Sequence, residues 1–144
     1  MDKQLANYFS DEASKAFAFL VNDHSFTPPQ LQIDDKINFA FVIFLKKNLA
    51  IEFILDERES DITCKIARVF DGKKTPHYAV DENGVRVREG LFNLLRRRGI
   101  KERLTTGIGG LELHAQIKVK FSDFAQMLRK HGQDILNDSS TALD

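Results

Sequence analysis

The chain is poor in the residues that mark secreted, membrane and strongly charged proteins. It has one cysteine, no tryptophan and three prolines in 144 residues. A lone Cys64 cannot close an internal disulfide, which excludes a disulfide-stapled scaffold and points to a reducing compartment. Met1 to Phe9 is polar and lacks the apolar run that opens a secretory signal. No window approaches the roughly 20 apolar residues of a membrane-spanning helix, and the longest apolar run, Phe39 to Leu45, has strand length. The expectation is a cytoplasmic protein with no membrane association. Lys plus Arg and Asp plus Glu both total 21, a formal net charge of zero, so the basic excess usual in dedicated nucleic-acid binders is missing. Also absent are G-x-x-x-x-G-K-[ST], H-E-x-x-H, G-x-S-x-G and C-x-x-C, the compact motifs of phosphate cradles, zinc hydrolases, serine hydrolases and redox sites.

Phenylalanine is what the chain has in abundance: twelve Phe against two Tyr, in a sequence 42% hydrophobic. Phe has no polar atom to satisfy, so this surplus reads as core filling. Leu5, Phe9, Ala13, Ala16, Phe17 and Leu20 recur at helical spacing, predicting an amphipathic helix over residues 2–22 that stops before Pro28-Pro29. Three runs then alternate as strands: Ile37 to Leu45, Leu49 to Leu55 and Ile62 to Phe70. The turns between them are short, which predicts antiparallel pairing in a meander. Both faces of the first run are apolar, placing it centrally or beneath a helix on each side. An extended segment near His77 to Val80 and a turn at Asn83-Gly84 follow. Leu91 to Arg98 reads as a short helix ended by Gly99, and Thr105 to Gly110 as a Gly-rich loop. Residues 111–121 fit both a strand and a helical stripe; as a strand, Ser122 would cap the next helix. The segment from Phe124 to Leu136 is helical on either account. The fold class is therefore α+β: an antiparallel sheet of three or more strands packed with an N-terminal and a C-terminal helix. Residues 1–137 form one domain, and 138–144 a polar, frayed tail.

Three stretches, FAFLVNDHSFTPP at Phe17 to Pro29, AIEFILDERESDIT at Ala50 to Thr63 and FAQMLRKHGQDILND at Phe124 to Asp138, resemble a loose group of small uncharacterised bacterial α+β proteins. That group is similar in size and layout to immunity proteins that neutralise polymorphic toxins. The resemblance implies a non-enzymatic bacterial protein, and a helix ahead of the closing helix, which tilts residues 111–121 towards helix. It carries over no functional residue.

Candidate chemistry is sparse, and no cofactor motif is present. Gly107-Ile108-Gly109-Gly110 is not a dinucleotide fingerprint, because Glu112 stands where the third glycine would be. His24, His77, His114 and His131 show no ligand-like spacing. Cys64, between Ile62 and Ile66 on a strand, reads as a small buried hydrophobe rather than a nucleophile. Asp56, Glu57, Glu59 and Asp61 could hold a cation or work as an acid–base pair, but Arg58 sits among them and a hairpin turn is where solvated charge collects. The most suggestive polar feature is basic: Arg86, Arg88, Arg96, Arg97, Arg98, Lys101 and Arg103 fall within eighteen residues. Arginines at a helix C-terminus also suit the helix dipole without any ligand. Read functionally, the segment favours an acidic protein surface over nucleic acid, since only Phe92 interleaves for stacking. A non-catalytic protein-binding domain is the first expectation. Nucleic-acid or anion binding through Arg86–Arg103 is the second. A small enzyme assembled from distant residues such as Asp56, Glu59 and a histidine is the third.

Overall fold

The structure, a computed structural model, describes residues 1–75, 80–102 and 110–144. In chain order the elements are α1 (Lys3–Ala16), α2 (Ala18–His24), β1 (Gln30–Asp34), β2 (Phe39–Leu45), β3 (Leu49–Asp56), β4 (Asp61–Phe70), β5 (Lys73–Lys74), β6 (Arg88–Gly90), α3 (Leu91–Arg97), α4 (Leu113–His131) and α5 (Gln133–Leu136). The fold is α+β: an antiparallel, curled sheet in the order β1-β2-β3-β4-β5, with β6 also paired to β4, between N-terminal and C-terminal helices.

The expected N-terminal helix exists but is broken at Phe17. Its start is set by Asp2, whose carboxylate accepts from the N–H groups of Gln4 at 2.8 Å and Leu5 at 3.3 Å, satisfying donors that no preceding turn can reach. Phe17 is fully buried, stacked on Phe53 at 3.9 Å and edge-on to Phe44 and Phe121. After α2, Ser25 adopts a left-handed conformation with φ 62°, and the Phe26 N–H donates to the Leu20 carbonyl, turning Phe26 into the core. The strand β1 was not among the strands expected from the sequence. It pairs with β2 from Gln30 opposite Ile43 to Asp34 opposite Phe39. Gln30-Leu31-Gln32-Ile33-Asp34 does alternate, but only two apolar residues carry the pattern and the strand is mostly exposed.

Residues 113–131 are one helix, which resolves the ambiguous segment. Ile117, Phe121, Phe124 and Leu128 are buried along one stripe, and α4 packs on α1 through Phe9 and Phe121 at 5.1 Å. A strand would have sent Leu113, Ala115 and Val119 into the same interior; here all three are only half-buried. Ser122 is exposed in mid-helix and caps nothing. The helices cover one face of the sheet, formed by Val42, Phe44, Ile51, Phe53, Cys64 and Ile66. Nine of the twelve phenylalanines are buried, and of the other three only Phe70 is well exposed, at 57%, so the Phe surplus does fill the core.

The C-terminal residues are not a frayed tail. Ala142 and Leu143 are buried. The Asp138 carboxylate accepts from the N–H groups of Asn48 and Leu49 at 3.1 and 2.9 Å, and Lys46 Nζ donates to the Leu136 carbonyl at 3.1 Å. Composition suggested a solvated end; the backbone donors at the start of β3 give it a place to dock.

Candidate functional site

The second face of the sheet is apolar as well, and no described helix lies on it. Phe41, Ile43, Ala50, Ile54, Ala67 and Val69 form a separate buried cluster there. Among the described residues no second helical layer covers them; the sheet curls around them instead. β1 and β5 stand at opposite ends of the strand order, yet Gln30 and Gln32 of one and Lys73 and Lys74 of the other line the same cavity of about 290 Å³, over Ile43 and Leu45. The sheet is thus a trough with β2, β3 and β4 as its floor. Of the two placements expected for β2, central or beneath a helix on each side, the central one holds. β2 lies between β1 and β3, with described helices on one side alone and the walls of the trough on the other.

Pairing register sets out the floor in rows. Ile43, Glu52 and Lys65 lie side by side, then Phe41, Ile54 and Thr63, then Phe39, Asp56 and Asp61 at the hairpin end. Arg88 joins from β6 beside Ala67. Glu52 is completely buried, an expensive place for a carboxylate unless cations surround it. Arg88, 6% exposed, donates through Nη2 to Oε1, and Lys74 Nζ lies 2.7 Å from Oε2. The Lys74 contact is close but poorly aligned for a hydrogen bond; it is an ion pair held by charge rather than by direction. Lys65 is the third cation beside this one carboxylate. Burial, and then the charge of Arg88, pulls its pKa down, with Glu52 pushing the other way. Among the described residues no carboxylate lies within ion-pair distance of the Lys65 ammonium. It lines a cavity of about 270 Å³ with Phe39, Phe41, Ile54 and Arg88, whose far end is formed by Asp56 and Asp61. A larger cavity of about 530 Å³ adjoins it through Phe41, between Gln32, Asp34, Lys36 and Lys74.

The basic segment is not one patch. Arg88 points into the trough. Arg86 and Arg97 bind Glu89, Arg97 also donates to the carbonyls of Leu143 and Asp144, and Arg98 grips Asp134 and the Ala142 carbonyl. Arg97 and Arg98, with Arg68 on Ser140 and Asp144, fasten the C-terminal residues to the sheet edge. Arg96 and Lys101 are exposed at a separate groove of about 340 Å³ with Phe92, Ile100, Glu102 and Met127. Arg103 lies outside the described residues, as do His77 and Gly107 to Gly109. At this groove hydrogen bonds from Lys130 and His131 hold the Glu102 carboxyl below its usual range.

Other candidates separate in space. His24 meets Phe19, His114 lies against Tyr8 at 4.3 Å, and His131 is on Glu102. None of them is bonded to Asp56 or Glu59. Among the described residues no group of three His, Cys, Asp or Glu side chains could hold a metal ion. Cys64 is buried on the helix side, and burial together with the Glu52 charge pushes its thiol well up, as expected of a structural cysteine. Glu52, Lys65 and Lys74 were not singled out from the sequence, although a signal exists: Glu52 is the one charge in the run Leu49 to Leu55.

No family model, curated protein or solved structure matches this chain. The likeness to immunity proteins therefore stands on the three sequence stretches alone. Among the described residues no helix is long and apolar enough to cross a membrane.

Proposed function

We propose that this chain is a non-catalytic, immunity-like protein-binding domain that works from the bacterial cytoplasm through the trough of its curled sheet. The observation that carries the reading is a trough with an apolar floor over which no described helix lies, and a cavity in it lined by a half-buried lysine, Lys65, whose neighbouring carboxylate, Glu52, is already shared by Arg88 and Lys74. The floor side chains are themselves buried, so the reading rests on the charge within the cavity: a half-desolvated cation there favours a specific partner over general stickiness. Nucleic-acid binding is the weaker reading, because Arg86, Arg88, Arg97 and Arg98 are held in internal ion pairs. An enzyme built on Asp56, Glu59 and a histidine has no support in the placement of His24, His114 and His131.

The test is affinity capture of the tagged chain from its source cells at low and moderate salt, with nuclease treatment, using three forms. Ile37 is 42% exposed at the trough edge, so Ile37→Asp alters the surface with little effect on the core. One stoichiometric protein captured by wild type and by Arg96→Ala/Lys101→Ala, but lost from Ile37→Asp, is the expected result. Capture that depends on Arg96 and Lys101, or recovery of nuclease-sensitive material alone, would count against the trough.

A further inference from the structure

The charge pattern along the trough specifies the partner's chemistry, on the reading that the trough is the partner-binding surface. Both oxygens of Glu52 are already engaged, Oε1 by Arg88 and Oε2 by Lys74. Three cations thus face one carboxylate, and this end of the cavity carries an excess of positive charge centred on Lys65. At the other end Asp56 and Asp61 face each other across the β3–β4 pair, and neither meets a cation among the described residues. Like charges directly opposite on neighbouring strands disfavour each other, so both ends of the cavity gain from a counter-charge brought in from outside. Between them lie Phe41, Ile54 and Thr63, with Phe39 and Ile37 as apolar walls.

Spacing selects the size of the ligand. Lys65 and Asp61 are four residues apart on one strand, about 13 Å at roughly 3.3 Å per residue. A free amino acid is far too short to reach both ends. The cavity of about 270 Å³ suits one large side chain, and the cavity of about 530 Å³ adjoins it at Phe41. An extended polypeptide repeats its same-face positions every second residue, so its residues i, i+2 and i+4 match the three rows of the floor.

We propose that the trough binds an extended segment of a protein partner carrying an acidic residue, an apolar residue and a basic residue at alternate positions. The acid sits at Lys65, the apolar side chain on Phe41 and Ile54, and the base at Asp56 and Asp61. Either chain direction satisfies the pattern, so opposite charges four residues apart are what matters.

Three capped pentapeptides test this by amide chemical-shift titration of the whole chain: Glu-Ser-Phe-Ser-Lys, Glu-Ser-Phe-Ser-Glu and Lys-Ser-Phe-Ser-Lys. The mixed peptide should shift the amides of Ile54, Thr63 and Lys65 and bind at least threefold tighter than either like-charged peptide. Lys65→Gln should abolish its advantage over the double-lysine peptide. Asp56→Asn/Asp61→Asn should abolish its advantage over the double-glutamate peptide. Equal affinity of all three for the same amides overturns the charge pairing but leaves the trough as the binding surface. Shifts confined to the Arg96 and Lys101 groove, or none at millimolar peptide, overturn both.

Discussion

Replacing Glu52 by glutamine tests whether one buried carboxylate holds the trough together. Glu52 is 0% exposed, its partners Arg88 and Lys74 have side chains 6% and 18% exposed, and Lys65 lies directly across the strand pair. In Glu52→Gln the negative charge vanishes while three cations remain side by side, two of them largely desolvated. Removing one member of a buried pair typically costs about 3–5 kcal/mol, most of it from the charge left behind. The lower end applies, because glutamine keeps an acceptor for Arg88 and Lys74 can turn towards solvent. A loss of about 3 kcal/mol is a large part of a stability of roughly 5–15 kcal/mol. It corresponds to a melting temperature lowered by about 10 °C in a domain of this size. Urea and thermal unfolding followed by circular dichroism measure it. Glu52→Leu/Arg88→Leu should lose less than the sum of its single variants, since the uncompensated charge goes with its partner. A cost below about 1 kcal/mol for Glu52→Gln, with additive double variants, would refute the view that Glu52 neutralises the site.

Three further outcomes are expected. Lys65→Met should raise the urea midpoint at pH 7, because the lowered pKa means that the folded chain disfavours the Lys65 charge. Between the folded and unfolded pKa values the unfolded state binds more protons and wild-type stability rises with pH. The advantage of the variant should therefore shrink as pH climbs towards about 10.4, and an equal midpoint at pH 7 would contradict the assignment. Gly132→Ala should destabilise by about 1–3 kcal/mol, since a Cβ there would stand 2.8 Å from the Leu128 carbonyl oxygen, a backbone atom with little room to yield; a neutral change in melting temperature would refute this. Asp138→Ala removes a charged acceptor from the Asn48 and Leu49 amides and should cost about 1.5–3 kcal/mol. Hydrogen exchange should accelerate at Leu49 and through residues 138–144, and unchanged exchange would show that the C-terminal residues are held by other contacts.

How much could be read from the chain depended on whether a contact repeats locally. The strands β2, β3 and β4 announce themselves because alternate residues such as Phe39, Phe41 and Ile43 must leave a strand on the same side, and α3 because Leu91, Leu94 and Leu95 share a helical face with Gly99 beyond its end. The α+β class follows from those periods alone. Residues 111–121 carry both periods at once, and the choice fell to packing: as a helix, Ile117 and Phe121 reach the core. Strand β1 carries its period of two on only two apolar residues, Leu31 and Ile33, and gains its structure from the free edge of β2.

The candidate site was the least legible part, for the same reason. Clustering of Arg86 to Arg103 in sequence suggested a shared surface, but a β-strand followed by a helix sends successive side chains in different directions. One reached Glu52 and three reached Glu89 or the C-terminal residues. The sequence by itself determined the residue set, the strand and helix periods, and a neutral chain with enough phenylalanine to build a core. Only the tertiary structure decided that the sheet curls, bringing Lys74 and Arg88 to a glutamate 22 and 36 residues away. Ion pairs of that span obey no local period; they exist because the curvature closes β1 and β5 over a face that would otherwise be flat and wet.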